Sequence, residues 1–440
     1  MVISTFGKKF LRKYNEENNT EMSVEDFFYD IFYPKILGND KLGVMINNSP
    51  FFQNYIVKLS KLKKKGKLTK ENIQECKKLS LDCFKEKIEK KEFDGCMYVG
   101  WGATESSAKT SGQLTNIDFD IDKNEIYYSW IAHALSLDIN EYNVLINNDQ
   151  VLYDIFLGWD RFKDLLNDNV LNMKQYEISS WNSYWVSNFY DQSGQEDEMF
   201  NPFINDDYNR DINGNAFLYS KKWINILHTL CVEFGSAKQL WYVYKLDKDN
   251  ETYGYIGIKL NEINSFISMC KTYFGENEFL KNRNKFETLF GGAFGFSEVC
   301  EFGQIGISEI KPEVLKLEME RNNKAKYKYK KIFNDDYGDY LIKLYKLYIM
   351  SILNIANLDE KINQLIELMV DIETSKMTKS TGKQTIVKFL LSKNRSTFIN
   401  NLTELSKARS IIDNDGAIIK EFWEICYSIQ EKNIPELMAN

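Results

Sequence analysis

The chain has 440 residues, of which 43% are hydrophobic and 27% are charged, so it carries enough apolar side chains for a large buried core. This composition excludes intrinsic disorder as a description of the whole chain. The net charge of −7 does not mark the chain as a whole as a nucleic-acid binder. The length predicts two or three domains, and the five prolines make long proline-rich linkers between them unexpected.

The sequence predicts neither export nor membrane insertion. Its N-terminus lacks the apolar stretch of a signal peptide, and Lys343 and Lys346 interrupt its most apolar segment, residues 341–358. The seven cysteines are scattered and form no CxxC pair, so we expect buried, reduced thiols instead of disulfides or a zinc site. We therefore expect a cytoplasmic protein with no membrane partner.

The first 94 residues are predicted to be helical. Ser23, with Asp26 three positions later, indicates the start of a helix. The spacing of apolar residues predicts a pair of helices over residues 55–65 and 70–91, and Gly66 between them predicts a turn.

At Gly95 the pattern changes to that of an α/β body. Residues 96–99 have the pattern of a buried strand, and residues 100–112 form a loop of small side chains. The strict alternation in residues 114–121 predicts a hairpin with residues 126–130.

The second half of the body mixes helices with a further hairpin. Helices are predicted over residues 149–166 and over the aromatic-rich residues 181–190, and an exposed loop over residues 191–215. The β-branched and aromatic residues of 239–246 and 253–260 predict two neighbouring strands. His133 and His228 lie among apolar neighbours in sequence, so we expect both to be core residues.

Beyond residue 337 only helical patterns remain. The sequence therefore predicts an α+β fold, in which a mixed α/β body with antiparallel hairpins precedes a C-terminal all-helical bundle. The predicted division has three parts: a helical N-terminal region, the body and the bundle, at residues 1–94, 95–335 and 336–440.

Charge is strongly segregated along the chain, although the net value is small. Residues 137–211 carry a net charge of −11, whereas residues 58–70 contain seven lysines and no acidic residue. Residues 311–331 and 372–409 carry net charges of +5 and +6. Three basic segments are therefore predicted to lie on an acidic body.

The basic segments are the predicted contacts for DNA or RNA. Residues 324–331 interleave lysines with two tyrosines, so ammonium groups could neutralise phosphates while the rings stack on bases. A solvated lysine-rich connection is the alternative for this segment. The candidate nucleic-acid-binding residues are Lys63, Lys64, Lys65, Lys67, Lys109, Lys324, Lys326, Tyr327, Lys328, Tyr329, Lys330, Lys383, Lys388, Lys393 and Arg395.

Catalytic patterns are weak. Glu298 precedes the triplet Glu309-Ile310-Lys311 by a spacing that could place two carboxylates on Mg²⁺ and a lysine near a phosphate, as in a metal-dependent restriction-type nuclease. Such triplets are common in lysine-rich and glutamate-rich chains. Otherwise we expect no cofactor, no resident metal and no catalytic residue.

At the level of domain order, the chain resembles the large subunit of type I CRISPR interference complexes. That resemblance implies an α/β body whose loops inspect the motif beside the target, and a bundle that lines the path of the displaced strand. Residues 100–112, residues 58–70 and the basic bundle face would be the corresponding elements here. The paired CxxC motifs of some relatives are absent.

Three functions remain open from the sequence. The first is a non-catalytic nucleic-acid-binding subunit of a prokaryotic antiviral defence complex, which would contact target DNA, guide RNA and other protein subunits. The second is the metal-dependent nuclease. The third is a scaffold whose acidic middle and basic segments bind partner proteins.

Overall fold

The chain divides into two compact units, Met1–Ile258 and Lys259–Asn440, in a computed structural model. These two units do not test the predicted division into three parts, which stays a prediction. The structure describes residues 2–46, 49–91, 97–100, 121–191, 199–203, 208–235, 237–246, 251–275, 296–309, 336–353, 358, 360–365, 385, 388–389, 392 and 395–410.

The first unit begins with two helices. Helix α1 is Val2–Asn18, and helix α2, Val24–Phe27, continues directly into a π-helix over Phe28–Leu37. The Ser23 hydroxyl accepts a hydrogen bond from the backbone N–H of Asp26 at 3.1 Å, so Ser23 caps α2 as the sequence predicts.

The predicted helix pair is confirmed. A short π-helix, Phe52–Val57, leads into α3, Lys58–Lys64, and a turn at Gly66 leads into α4, Lys70–Glu89. The buried face of α4 carries Phe84 and Ile88, which lie one turn apart.

The predicted hairpin is wrong in its second half, because residues 126–130 lie in helix α5, Lys123–Ala134. The Asp122 carboxylate accepts a hydrogen bond from the backbone N–H of Asn124 at 2.8 Å, so Asp122 caps α5. Ile126 and Trp130, one turn apart, are buried. The first half of the hairpin, residues 114–121, lies outside the described residues except for Ile121.

The strand predicted at residues 96–99 is also wrong where the structure describes it. Met97 and Val99 are buried, but they lie in a turn and bond to side chains of α5 instead of a neighbouring strand. The indole N–H of Trp130 donates to the Met97 carbonyl at 2.7 Å, and the Val99 N–H donates to the Ser129 hydroxyl at 3.1 Å. The apolar run therefore predicts that this segment is buried, but it does not predict the conformation of the segment.

Helices α1 and α5 pack against each other with very close backbones. A Cβ atom added at Gly7 would lie 2.2 Å from the carbonyl oxygen of Tyr128. Only a residue without a side chain fits at this point of α1, and the closeness of the two helices depends on it.

Two strands and three helices follow α5. They are β1, Leu137–Ile139; β2, Tyr142–Ile146; α6, Asp149–Leu157; α7, Trp159–Leu166; and α8, Ile178–Asp191. The helices predicted over 149–166 and 181–190 are thus confirmed, with a break at Gly158. Trp181 and Trp185 of α8 are buried, as expected for a core aromatic stripe.

The remaining elements of the first unit complete its sheets. They are β3, Tyr208–Arg210; β4, Ala216–Leu218; α9, Trp223–Phe234; β5, Lys238–Lys245; and β6, Glu251–Lys259. The loop predicted over residues 191–215 is wrong at residues 208–210, because β3 pairs there with β4 in antiparallel orientation. Strands β1, β2, β5 and β6 lie side by side in that order, and the predicted neighbours β5 and β6 are confirmed.

The second unit is mainly helical where it is described. Helix α10, Leu260–Phe274, is followed by short elements at Phe296–Glu301, Gln304–Ile305 and Ile307–Glu309, and by the helices Asp336–Leu353 and Arg395–Ser410. The mixture of helices and strands agrees with an α+β fold. The C-terminal bundle stays a prediction. No helix in the described part of the chain is long and apolar enough to cross a membrane.

Candidate nucleic-acid interface

The basic segment 58–70 forms a helical hairpin, which we call the lysine hairpin. It consists of α3, the turn at Gly66 and the first residue of α4. All seven of its lysines are exposed: Lys58, Lys61, Lys63, Lys64, Lys65, Lys67 and Lys70. None of them forms a side-chain hydrogen bond or an ion pair among the residues that the structure describes.

Backbone hydrogen bonds fix the turn of the lysine hairpin. The Lys67 N–H donates to the Leu62 carbonyl and the Gly66 N–H donates to the Lys63 carbonyl, both at 3.0 Å. This pair of bonds is a Schellman motif, which ends a helix on a residue with left-handed backbone. Gly66 has a φ of +64°, and on the other side of the turn the Thr69 hydroxyl accepts from Asn72 N–H at 3.3 Å.

Replacement of Gly66 by alanine is expected to destabilise the hairpin by about 1 kcal/mol, because an L side chain at positive φ is strained. Open space surrounds the position, so no clash adds to this cost. Amide hydrogen exchange in α3 and α4 would measure the change. Gly66→Asn should recover part of the loss, since asparagine tolerates this conformation; equal protection in the wild type and Gly66→Ala would contradict the assignment.

An aromatic cluster anchors the base of the lysine hairpin. Phe51, just before the second π-helix, has its ring centroid 5.1 Å from that of Phe84 on α4 and 5.4 Å from that of Trp130 on α5. The buried Tyr55 donates its hydroxyl hydrogen to the Asp40 carbonyl at 2.7 Å. The lysines are therefore carried on two helices that are held by the core of the first unit.

The chemistry available at this surface is the binding of phosphates. Lysine ammonium groups act as hydrated point charges, which neutralise a polyanion without reading its sequence. No aromatic side chain lies between residues 58 and 70, so the hairpin offers no ring for stacking on bases.

The other predicted nucleic-acid contacts are only partly described. Lys388 is exposed in the second unit, and its carbonyl accepts from the Asn401 side chain at 2.9 Å, which ties it to the helix that begins at Arg395. The structure thus brings Lys388 and Arg395 onto adjoining segments. Lys109, Lys324, Lys326, Tyr327, Lys328, Tyr329, Lys330, Lys383 and Lys393 lie outside the described residues.

The predicted nuclease residues have local structural roles where they are described. Glu309 lies in a 3-10 helix, Ile307–Glu309. Its carboxylate accepts a hydrogen bond from the Gly306 N–H at 2.7 Å, which closes this turn. Glu298 is exposed in the helix Phe296–Glu301, and Lys311 lies outside the described residues. No group of three or more metal-ligating side chains occurs within the described ranges.

The histidine predictions are confirmed as far as burial is concerned. His133 and His228 are both buried. The Nδ1 atom of His133 lies 2.9 Å from the hydroxyl of Tyr244, and burial lowers the pKa of His133 to about 4. His133 is therefore a neutral core residue at neutral pH.

Two carboxylates, the buried Glu177 and the half-buried Asp138, connect the start of α8 to the strands. Desolvation raises the pKa of Glu177 to about 7, and the nearby Asp138 carboxylate acts in the same direction, while Lys174 opposes both. Asp138 accepts hydrogen bonds from the hydroxyls of Ser180 at 2.8 Å and Ser220 at 2.6 Å. These contacts join three segments of the first unit, and no local pattern in the sequence predicts them.

Two tyrosines outside the predicted contacts form a further feature of the sheet. Tyr242 on β5 and Tyr255 on β6 meet on one face of the sheet, and Tyr255 is 46% exposed. A signal was available: the aromatic and β-branched residues of 239–246 predict a strand, but only the pairing with β6 shows which side of it stays uncovered.

Comparison of this chain with protein-family models, with curated proteins and with solved structures found no match in any of the three.

Proposed function

We propose that the protein is a non-catalytic nucleic-acid-binding subunit of a prokaryotic antiviral defence complex, and that the lysine hairpin contacts phosphates. One observation carries the proposal: seven exposed lysines on a fixed helical hairpin, without acidic neighbours between them. Gathering so much like charge is unfavourable unless a polyanion neutralises it.

Helix electrostatics explains only part of this lysine arrangement. Lys61, Lys63 and Lys64 lie in the last turn of α3, where cations interact favourably with the helix dipole. Lys70, in contrast, is the first residue of α4, where the dipole disfavours a cation. Lys65 and Lys67 lie in the turn between the helices. Stability of the helices alone therefore does not account for the pattern.

Other protein subunits are the second kind of partner in this proposal. The resemblance in domain order suggests the position of a type I CRISPR large subunit, which acts together with target DNA, guide RNA and further proteins.

Removal of three hairpin lysines is expected to weaken the binding of a 20-bp duplex at least tenfold at 0.1 M salt. The variant is Lys63→Gln, Lys64→Gln and Lys67→Gln combined, because glutamine keeps the helix propensity and removes the charge. Each lost phosphate contact lowers the affinity without regard to sequence. Fluorescence anisotropy with labelled duplexes of two unrelated sequences measures the effect.

The matched control removes three lysines elsewhere. Lys78 and Lys222 are exposed and Lys163 is half-buried, so replacing these three by glutamine makes the same change in net charge. We expect this control to bind within about twofold of the wild type. Equal losses in the two triple variants would show that only total charge matters, and the hairpin would then not be the contact.

A further inference from the structure

Part of the sheet in the first unit is uncovered and aromatic. The ring centroids of Tyr242 on β5 and Tyr255 on β6 are 5.3 Å apart. Leu240 lies two residues before Tyr242, on the same side of β5, and is 43% exposed, while Tyr255 is 46% exposed. We call Leu240, Tyr242 and Tyr255 the tyrosine patch.

The tyrosine patch has a fixed base. Phe6 of α1 is buried, and its ring centroid lies 6.2 Å from that of Tyr242 and 6.3 Å from that of Tyr255. Gly254, immediately before Tyr255 in β6, has a φ of +80°, a conformation that favours glycine. The rings are thus packed on one side, while nearly half of Tyr255 remains exposed to solvent.

Basic elements border the patch. Of the four basic side chains in α1, Arg12 and Lys13 form ion pairs with Asp149 and Glu17, and Lys8 and Lys9 are the other two. Strand β5 contains two lysines, including Lys238, and no acidic residue. Lys9 donates a hydrogen bond to the side chain of Asn147, whose backbone N–H donates to the Leu240 carbonyl at 2.8 Å. Lys9 therefore lies beside Leu240, and the exposed Lys238 lies two residues before it on the same face.

We propose that the tyrosine patch binds unpaired bases of single-stranded nucleic acid, with Lys9 and Lys238 neutralising the adjoining phosphates. An exposed ring accepts any stacked base, and the basic border suits the backbone that accompanies the bases. Basic side chains at the border would not strengthen the binding of an apolar protein surface. Paired bases are hidden in the duplex stack, so this site selects single strands.

This inference rests on the nucleic-acid binding proposed above and adds a second site to it. The lysine hairpin has charges without rings, whereas the tyrosine patch has rings beside charges. The two sites therefore differ in what they bind: the hairpin contacts the backbone of any nucleic acid, and the patch requires bases that are free to stack.

Tyr255→Leu is expected to weaken the binding of labelled 20-nucleotide dT and U single strands about tenfold, because it removes a stacking ring and keeps an apolar side chain. Binding of a 20-bp duplex should stay within about twofold of the wild type. Tyr255→Phe keeps the ring and should bind single strands as the wild type does. Stronger binding of dT or of U would identify DNA or RNA as the strand that the patch prefers.

Two controls separate stacking from folding. Tyr219→Leu removes another exposed tyrosine and should leave binding of all three probes unchanged. Strands carrying 5-iodouracil should crosslink the wild-type protein at Tyr242 or Tyr255, which mass spectrometry of the digested protein would identify. This measurement needs no variant.

Each outcome has a distinct meaning. If the wild type binds the duplex and the single strands, but Tyr255→Leu binds single strands equally well and no crosslink forms at the patch, this inference is overturned and the proposed function stands. The patch is then left for a protein partner. If the wild type binds none of the three probes at low salt, the proposed function fails together with the patch.

Discussion

Gly7→Ala is expected to destabilise the first unit by about 1–3 kcal/mol, although alanine is the better helix former. Propensity alone would stabilise α1 by about 1 kcal/mol. The added Cβ atom, however, would lie 2.2 Å from the backbone oxygen of Tyr128, which cannot move without a shift of α5. Overpacking of this kind typically costs about 1–3 kcal/mol.

Urea unfolding followed by tryptophan fluorescence measures this effect, because seven of the eight tryptophans precede residue 259. Lys8→Ala is the matched control, since Lys8 is the exposed neighbour of Gly7 on the same helix, and its replacement should change stability by less than about 0.5 kcal/mol. An increase in stability for Gly7→Ala would show that α1 and α5 are not in close backbone contact.

Glu177→Gln is expected to stabilise the protein at pH 8 and to change it little at pH 5. The folded protein raises the pKa of Glu177 from 4.5 to about 7, so it binds a proton more tightly than the unfolded chain does. The free energy of unfolding of the wild type must therefore fall as the pH rises from about 4.5 to about 7. At 1.36 kcal/mol per pKa unit, the loss approaches about 3 kcal/mol.

The glutamine variant removes this loss and keeps a hydrogen-bond acceptor. The Glu177 carboxylate accepts from the Leu218 N–H at 3.3 Å, and the amide oxygen of glutamine can do the same. Urea unfolding at pH 5, 6, 7 and 8 measures the difference. Glu141→Gln, at an 81% exposed side chain, is the control. A gap between Glu177→Gln and the wild type that does not widen with pH would contradict the assigned pKa.

Local sequence patterns predicted most of the helices and the β5–β6 pair. Ser23 with Asp26 and the apolar spacing of α4 act within one or two turns, so they can be read without knowing the fold. The strand predicted at residues 126–130 failed because aromatic and β-branched residues suit a helix as well as a strand when every side is buried. Asp122 caps α5, and the residue types that cap helices also favour hairpin turns.

Features that depend on distant segments could not be predicted. Gly7 is required by a carbonyl more than a hundred residues away, and nothing in its own neighbourhood marks it. The pKa of Glu177 is raised because folding buries its carboxylate, and the exposure of Tyr255 depends on which segments pack against β6. The lysine hairpin, in contrast, was predictable, since its charge and its turn are both local in sequence.

The salt dependence of duplex binding tests the role of the lysine hairpin most directly. Each neutralised phosphate adds about −0.9 to the slope of the logarithm of the association constant against the logarithm of salt concentration. Between 50 and 300 mM salt, the combined variant at Lys63, Lys64 and Lys67 should have a slope shallower than the wild type by about 2–3. Identical slopes, or no binding by the wild type at 50 mM salt, would contradict the account.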